Sequence, residues 1–235
     1  MGLPLVLIPG LLCDDTVWSA QITALHDQHA LTVVDHAERD SLVEMAQAVL
    51  QQAPQRFALA GHSMGGRVAL QIMRLAPERV ARLALLDTGY EARDPGSAGA
   101  DEASKRYALV EMAKTQGMHA MAVEWARGMV HPDRLIDVQF MNRVYDMITK
   151  KTLSQFAAQI HALLNRPNAS DVLASIRCPT LVLCGRQDTW SPWSRHVEMA
   201  ERIATSALVG IDHCGHMSPM EQPDAVTAAM IDWLR

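Results

Sequence analysis

The chain has 235 residues, of which 49% are hydrophobic and 20% charged, with a formal net charge of −5 at pH 7. This length suffices for one large α/β domain or two small ones with a sizeable buried core. Charges of both signs are scattered, which argues against a nucleic-acid-binding protein, and no apolar run reaches the roughly 18 residues of a membrane span.

The four cysteines are too few and too dispersed for a disulfide scaffold, and their spacing matches no zinc site. They are Cys13, Cys178, Cys184 and Cys214. The amino-terminal residues show no signal-peptide pattern. We therefore expect a cytoplasmic protein with reduced thiols, and nothing in the sequence implies a metal or an organic cofactor.

Strands and helices are predicted to alternate along the first 88 residues. Apolar runs of strand length, separated by segments with helical spacing, occur at Leu3–Pro9, Ala30–Asp35, 56–60 and Val80–Leu86. This alternation predicts a parallel sheet covered on both faces, with sites at the carboxyl ends of its strands.

The stretch 88–170 interrupts this alternation. Glu91–Asp101 is rich in glycine, proline and charge and predicts a loop, whereas 102–164 shows helical patterns and no clear strand. We expect an all-helical lid over 89–170 and an α/β core formed by 1–88 and 171–235. The basic residues of the lid are interpreted as a solvated face, or alternatively as a surface for an acidic acyl-carrier protein: Lys105, Arg106, Lys114, Arg127, Arg134, Arg143, Lys150 and Lys151.

The sheet is predicted to resume at Cys178–Gly185. A helix over Ser191–Ile203, a strand over Ser206–Ile211 and a final helix from Asp224 follow.

Gly61-x-Ser63-x-Gly65 lies between a predicted strand and a predicted helix, whose apolar residues include Met64 and Val68. Glycines at both ends allow a sharp reversal, with the serine on the turn. In this context the motif indicates a nucleophile elbow.

A serine nucleophile needs a base, and the base needs an orienting acid. Asp188 follows a predicted strand and His216 follows the next one, which gives the chain order Ser63, Asp188, His216. His213 is an alternative base on spacing alone, and Asp87 is an alternative acid at another strand end. We assign no catalytic role to His62, which neighbours the serine.

These motifs resemble those of the α/β-hydrolase superfamily along almost the whole chain, and the nearest resemblance is to small bacterial carboxylesterases with a helical lid. The matching segments are Leu5–Leu11, Gly61–Gly66, the insertion, Pro179–Asp188, Cys214–His216 and Glu221–Pro223. The resemblance implies a mainly parallel, doubly wound sheet that lacks the first two edge strands of the fuller fold. Pro9-Gly10 stands where the family often has His-Gly.

Position by position, the resemblance implies that Ser63 is the nucleophile, His216 the general base and Asp188 its acid, with the backbone N–H groups of Leu11 and Met64 as the oxyanion hole. We expect substrate contacts from Leu12, Trp125, Met129 and Met217. The expected substrate is a small-molecule carboxylic ester with a small to medium apolar acyl group, and an acyl-carrier-linked ester is the alternative form. Lactonase, thioesterase, C–C hydrolase or acyltransferase activity on the same triad, or a non-catalytic ligand-binding role, are the alternatives.

Overall fold

A computed structural model describes residues 2–235 and contains one six-stranded, all-parallel sheet in the order β2-β1-β3-β4-β5-β6. The strands occur where the sequence predicts them: β1 (Leu5–Ile8), β2 (Leu31–Val33), β3 (Phe57–His62), β4 (Val80–Leu86), β5 (Thr180–Gly185) and β6 (Ser206–Ile211). Every residue of β1, β3 and β5 is buried, whereas β2 and β6 lie at the two edges and are partly exposed. The predicted α/β class with a parallel sheet is confirmed.

Eleven α-helices connect and cover the strands within residues 2–235. They are α1 (Ser19–Leu25), α2 (Leu42–Gln52), α3 (Met64–Leu75), α4 (Ser97–Gln116), α5 (Met118–Ala126), α6 (Val138–Thr149), α7 (Leu153–Leu164), α8 (Ser170–Leu173), α9 (Trp193–Arg202), α10 (Ser218–Glu221) and α11 (Pro223–Leu234). The chain crosses the sheet in one direction from β1 to β2 and in the opposite direction from β2 onwards. Because each crossover is right-handed, α1 lies on one face of the sheet and α2, α3 and α9 lie on the other. Helix α11 packs against α1 and so covers the same face.

Helix α3 begins directly after β3 and packs against β1, β3 and β4. Its apolar stripe at Met64, Val68 and Ile72 is buried, as its spacing predicts, but Leu75 at the end of the stripe is 45% exposed. The helix ends there because Pro77 follows within two residues and lacks the N–H that an α-helix interior requires.

The segment between β4 and α8 is helical within the described residues, in agreement with the sequence pattern. The loop predicted at Glu91–Asp101 is wrong in its second half, because α4 begins at Ser97. Gly99 lies in the first turn of that helix, and a Cβ there would lie 1.8 Å from the carbonyl oxygen of Asp94. The glycine therefore permits a close backbone contact inside a helix and does not mark a loop.

Because the strands are parallel, the carboxyl ends of β1, β3, β4 and β5 all lie on the same side of the sheet, at the ends of the strands. The register pairs Leu7 with Ala60 and Ala60 with Ala84, so the turns after these strands lie side by side. No helix within residues 2–235 combines the length and hydrophobicity that crossing a bilayer requires.

Candidate active site

Ser63 occupies the sharp turn between β3 and α3 in a strained backbone conformation, with φ 54° and ψ −117°. Residues other than glycine rarely adopt these backbone angles, and such a residue keeps them only because its surroundings hold it in place. Two hydrogen bonds fix the turn: the Ser63 N–H donates to the Leu86 carbonyl at 2.9 Å, and the Thr88 hydroxyl donates to the Ser63 carbonyl at 2.6 Å.

The two glycines of the motif have no room for a side chain. A Cβ at Gly61 would lie 2.4 Å from the carbonyl oxygen of Gly65, and a Cβ at Gly65 would lie 2.2 Å from the carbonyl oxygen of Ile8. Both obstacles are backbone atoms, so β3, α3 and β1 approach this closely only because glycine occupies positions 61 and 65.

Ser63, His216 and Asp188 form one continuous hydrogen-bonded chain. His216 Nε2 lies 2.7 Å from Ser63 Oγ, and His216 Nδ1 lies 2.7 Å from Asp188 Oδ2. Of the two candidate bases, only His216 contacts the serine, because His213 is exposed and packs its ring 5.9 Å from that of His131. The structure thus brings together the three side chains that the sequence pattern singles out.

The charges of Asp188 and His216 favour the protonation of His216 that proton transfer from Ser63 requires. Burial by itself lowers the pKa of His216, but the charge of Asp188 and its hydrogen bond outweigh burial and raise that pKa above 6.5. Burial alone would raise the pKa of Asp188, yet the opposing charge and hydrogen bond of His216 lower it. The N–H groups of Trp190 and Ser191 donate to the other Asp188 oxygen, Oδ1, at 2.8 and 2.9 Å.

Asp87 is buried at the same sheet edge but makes no hydrogen bond to His216. Its Oδ1 accepts the N–H of Gly185 at 2.9 Å, and its Oδ2 accepts hydrogen bonds from Ser218. Burial and the nearby charge of Asp188 raise the pKa of Asp87 to about 8. The geometry therefore favours Asp188 over Asp87 as the partner of the histidine.

His62 is buried next to the elbow, with its ring centroid 5.5 Å from that of His216. Its Nε2 lies 2.8 Å from the carbonyl oxygen of His216, and burial lowers its pKa to about 3. A neutral His62 therefore donates this hydrogen bond and supports the backbone of His216.

Glu221 supports the loop that carries His216. The sequence analysis names Glu221 only as part of the Glu221–Pro223 segment, which does not reveal this role. Its buried Oε1 accepts the N–H groups of Gly215 at 3.1 Å and Met217 at 3.0 Å, the two neighbours of His216. Its Oε2 accepts the N–H of His131 at 2.7 Å. One carboxylate thus joins the loop to the segment after α5.

Leu11 and Met64 both line the cavity beside Ser63, and their backbone N–H groups are the expected oxyanion donors. Neither has a hydrogen-bond acceptor among residues 2–235. Met64 is the first residue of α3, where N–H groups have no intrahelical partner and the helix dipole is positive. Both donors are therefore free for an oxygen atom at this position.

A cavity of about 570 Å³ opens beside Ser63 and His216. Of the expected substrate contacts, Trp125 and Met129 line it, and Leu12 and Met217 do not. Leu12 has φ 57° and a fully buried side chain, so the loop after β1 turns it into the core. Met217 is fully buried as well.

Sequence reasoning missed several residues of the cavity wall. Trp190 stacks on Trp125 with ring centroids 5.4 Å apart and lies 5.1 Å from the ring of His216. Charged side chains also line the cavity, among which only Lys105 and Arg106 belong to the basic lid residues that the sequence analysis names: Arg67, Glu91, Asp94, Glu102, Lys105, Arg106, Arg166 and Arg195.

Two groups of residues offer metal-ligand atoms within 4.8 Å of one another: His131, Asp133 and His213 at the surface, and Asp87, Cys184 and Asp188 in the interior. In the interior group the Asp87 and Asp188 oxygens already accept hydrogen bonds from the protein. All four cysteines are free thiols.

Comparison with known proteins places this architecture in a family. The family model described as "Alpha/beta hydrolase family" matches residues 5–229, and the chain belongs to this family. Its relatives include a putative carbamate hydrolase, RutD, of Pseudomonas savastanoi, which is 25% identical over 98% of this chain and 93% of that protein. The pimeloyl-[acyl-carrier protein] methyl ester esterase of Nitrosomonas europaea is 26% identical over 95% of this chain and 92% of that protein.

Among solved structures, a thermophilic esterase from Thermogutta terrifontis superimposes with a TM-score of 0.87 and 29% identity, covering 100% of this chain and 90% of that one. The relatives named are hydrolases that differ in the bond they cleave. The comparisons therefore support a hydrolase on the α/β fold and leave its substrate open.

Proposed function

We propose that this member of the α/β-hydrolase family is a serine carboxylesterase that cleaves its substrate through an acyl-enzyme intermediate. The observation that carries the proposal is the chain of two 2.7 Å contacts from Ser63 through His216 to Asp188, at the wall of a cavity. A serine hydroxyl held against an imidazole that a buried carboxylate orients is the arrangement that nucleophilic acyl transfer requires.

In the proposed reaction His216 Nε2 takes the hydroxyl proton as Ser63 Oγ attacks the ester carbonyl. The tetrahedral intermediate collapses as His216 returns the proton to the leaving alcohol, which leaves the acyl group on Ser63. Water then attacks the acyl-enzyme with the same histidine as base, and the acid is released. Asp188 holds the Nδ1 proton and stabilises the imidazolium that forms in both steps.

The N–H groups of Leu11 and Met64 are proposed to bind the oxyanion of both tetrahedral intermediates. Their lack of acceptors within residues 2–235 supports this role, since the donors need no reorganisation when the charge develops. Loss of one such donor costs about 3 kcal/mol of transition-state stabilisation.

We assign the helical segment 89–170 as a lid on a core formed by 1–88 and 171–235. Trp125, Met129 and Leu163 of this segment line the same cavity as Ser63, which supports the assignment. The free thiols, three of them buried, fit a reducing compartment such as the cytoplasm.

The proposed substrate is a carboxylic ester whose acyl part contacts the apolar wall of the cavity. Leu11, Met64, Trp125, Met129 and Trp190 supply that wall. An acyl-carrier-linked ester is a second form of the same substrate class. It is supported by the relative named as an acyl-carrier-protein methyl ester esterase and by the basic side chains on the lid.

The test is steady-state hydrolysis of p-nitrophenyl esters from acetate to decanoate by the wild type and by Ser63→Ala. We expect turnover that falls by at least about 10⁴-fold in the variant and passes through an optimum in acyl length. Ser41→Ala is the matched control, because Ser41 caps α2 and does not line the cavity. Equal rates for the wild type and Ser63→Ala, or no ester hydrolysis by the wild type alongside turnover of lactones or thioesters, would overturn the proposal.

A further inference from the structure

The wall of the cavity carries an excess of positive charge, although the whole chain carries a net charge of −5. Its charged lining comprises five cationic side chains (Arg67, Lys105, Arg106, Arg166, Arg195) and three acidic ones (Glu91, Asp94, Glu102). A cavity that needed only to hold an apolar acyl group would not require these residues, because placing cations together in a recess costs desolvation and mutual repulsion.

The acidic residues do not neutralise all of these cations. Glu102 is fully engaged, since its two oxygens accept a paired hydrogen bond from Arg166 at 2.7 and 2.8 Å and a further one from Arg106 at 2.9 Å. Glu91 Oε2 lies 3.5 Å from Arg195 Nε. These contacts leave Arg67 without a carboxylate.

Arg67 has no ion pair among residues 2–235, and its hydrogen bond runs from Nη1 to the carbonyl oxygen of Glu91 at 2.8 Å. Burial and the charges of Arg166 and Arg195 lower its pKa to about 9. The charge of Glu102 acts in the opposite direction, but this carboxylate is hydrogen-bonded to Arg166 and Arg106 and forms no ion pair with Arg67.

Three guanidinium groups from distant parts of the chain meet around residues 89–91. A Cβ at Gly89 would lie 2.7 Å from Arg67 Nη2 and 3.1 Å from Arg195 Cδ, so both side chains pack over this glycine. Arg166 Nε donates at 3.3 Å to the carbonyl oxygen that also accepts from Arg67.

Arg67 is also close to the reacting serine. It lies in the first turn of α3, four residues after Ser63, which is the residue that precedes this helix. Both residues line the same cavity. One small molecule in this cavity can therefore reach Ser63 with its carbonyl and Arg67 with an anionic group.

We propose that Arg67 and Arg195 form a binding site for a carboxylate of the substrate, so that the enzyme acts on half-esters of short dicarboxylic acids. The planar guanidinium matches a carboxylate with two parallel hydrogen bonds. The inference rests on the proposed function, because it needs Ser63 to attack the ester carbonyl of the same molecule.

The test compares the monomethyl esters of succinic, glutaric and adipic acid with the corresponding methyl ester amides, in which an uncharged carboxamide replaces the carboxylate. We expect the wild type to prefer the anionic member of at least one pair by about tenfold or more in kcat/KM. In Arg67→Met this preference falls by about tenfold or more. Arg67→Lys keeps the charge but loses the two parallel hydrogen bonds of the guanidinium, so its preference lies between those of the wild type and Arg67→Met. Arg74→Met is the matched control: Arg74 is on the same helix but pairs with Asp171 at the surface, so the preference is retained.

A second measurement needs no variant. Free glutarate is expected to inhibit the hydrolysis of p-nitrophenyl acetate by the wild type at a concentration at least about tenfold lower than glutaramide does. Stronger inhibition by inorganic phosphate than by glutarate would overturn the assignment to a carboxylate.

The two proposals fail in different ways. Equal kcat/KM for every anionic and neutral pair, with p-nitrophenyl acetate still hydrolysed through Ser63, would overturn the carboxylate site and leave the esterase proposal intact. A preference for the anionic ester that survives in Arg67→Met would also overturn the site. Loss of the Ser63 dependence with every ester would overturn the esterase proposal itself.

Discussion

The backbone N–H of Leu12 donates a 2.9 Å hydrogen bond to Oε1 of Gln159, a buried residue on α7 that lies 147 positions later in the chain. Leu12 directly follows Leu11, whose N–H is one of the two proposed oxyanion donors. This hydrogen bond shows that the Leu12 N–H faces the helical segment. We infer that Gln159 holds the loop after β1 in the conformation that leaves the Leu11 N–H free.

Replacing Gln159 by leucine tests this link. The change leaves a buried N–H without an acceptor, which costs about 1–3 kcal/mol. We expect a lower thermal midpoint and a loss of about tenfold in kcat with little change in KM, since the loop would position its donor less well. Gln47→Leu, an exposed position on α2, serves as the control. Unchanged kcat in Gln159→Leu would show that α7 does not position this loop.

The pH dependence of the reaction follows from the pKa of His216. The base must be neutral to take the serine proton, and its pKa is raised above 6.5 by Asp188 against the effect of burial. We therefore expect kcat/KM to rise with pH through an apparent pKa above 6.5. Measuring kcat/KM for p-nitrophenyl acetate from pH 5 to 9 would check this, and a profile independent of pH would contradict it.

Asp188→Asn should change that profile in two ways. Without the carboxylate the pKa of His216 falls, so the acidic limb moves to lower pH, and the plateau drops by about 10³–10⁴-fold because the imidazole loses its orienting partner. Asp212→Asn is the control, because Asp212 pairs with Arg186 at the surface. If instead Asp87→Asn had the larger effect on the plateau, Asp87 would be the functional acid.

Gly65→Ala tests whether the elbow depends on close backbone packing. The new Cβ would lie 2.2 Å from the carbonyl oxygen of Ile8, so β1 and α3 would have to separate. We expect a loss of roughly 3 kcal/mol in unfolding free energy and a clear drop in kcat, measured by urea unfolding and ester hydrolysis. Gly96→Ala, where the nearest neighbour is the movable side chain of Asp94, should change both little.

Three buried histidines should make the fold sensitive to acid. Burial lowers the pKa of His36 and His196 to about 4 and that of His62 to about 3. Each is neutral when folded but takes up a proton near pH 6.5 when unfolded, so its contribution to stability is complete above pH 6.5 and is lost as the pH falls towards 4. Asp87, with its raised pKa, acts in the opposite direction below pH 8.

We therefore expect the thermal midpoint to fall between pH 6.5 and pH 4, and His36→Gln to reduce that fall. Calorimetry at several pH values measures both. An equal fall in the wild type and in His36→Gln would show that His36 does not contribute.

The sequence predicts those features that depend on local chemistry. The elbow follows from small residues around one serine, and the strands follow from apolar runs such as Val80–Leu86, which the structure reproduces residue for residue. The sequence does not reveal that the Leu12 side chain is buried and lies outside the lining of the cavity, because this depends on the path of the loop after β1. The convergence of Arg67 with Arg195 was not predictable, since it depends on how α3 and α9 pack around Gly89.

The most direct test of Ser63 as the nucleophile is a pre-steady-state burst of p-nitrophenol release from p-nitrophenyl acetate, followed by acid quench and peptide mass analysis. We predict a burst of about one equivalent per active site, with the acetyl group on the peptide that carries Ser63, and neither signal in Ser63→Ala. An acetyl group on any other residue, or an equal burst in Ser63→Ala, would contradict the assignment of Ser63 as the nucleophile.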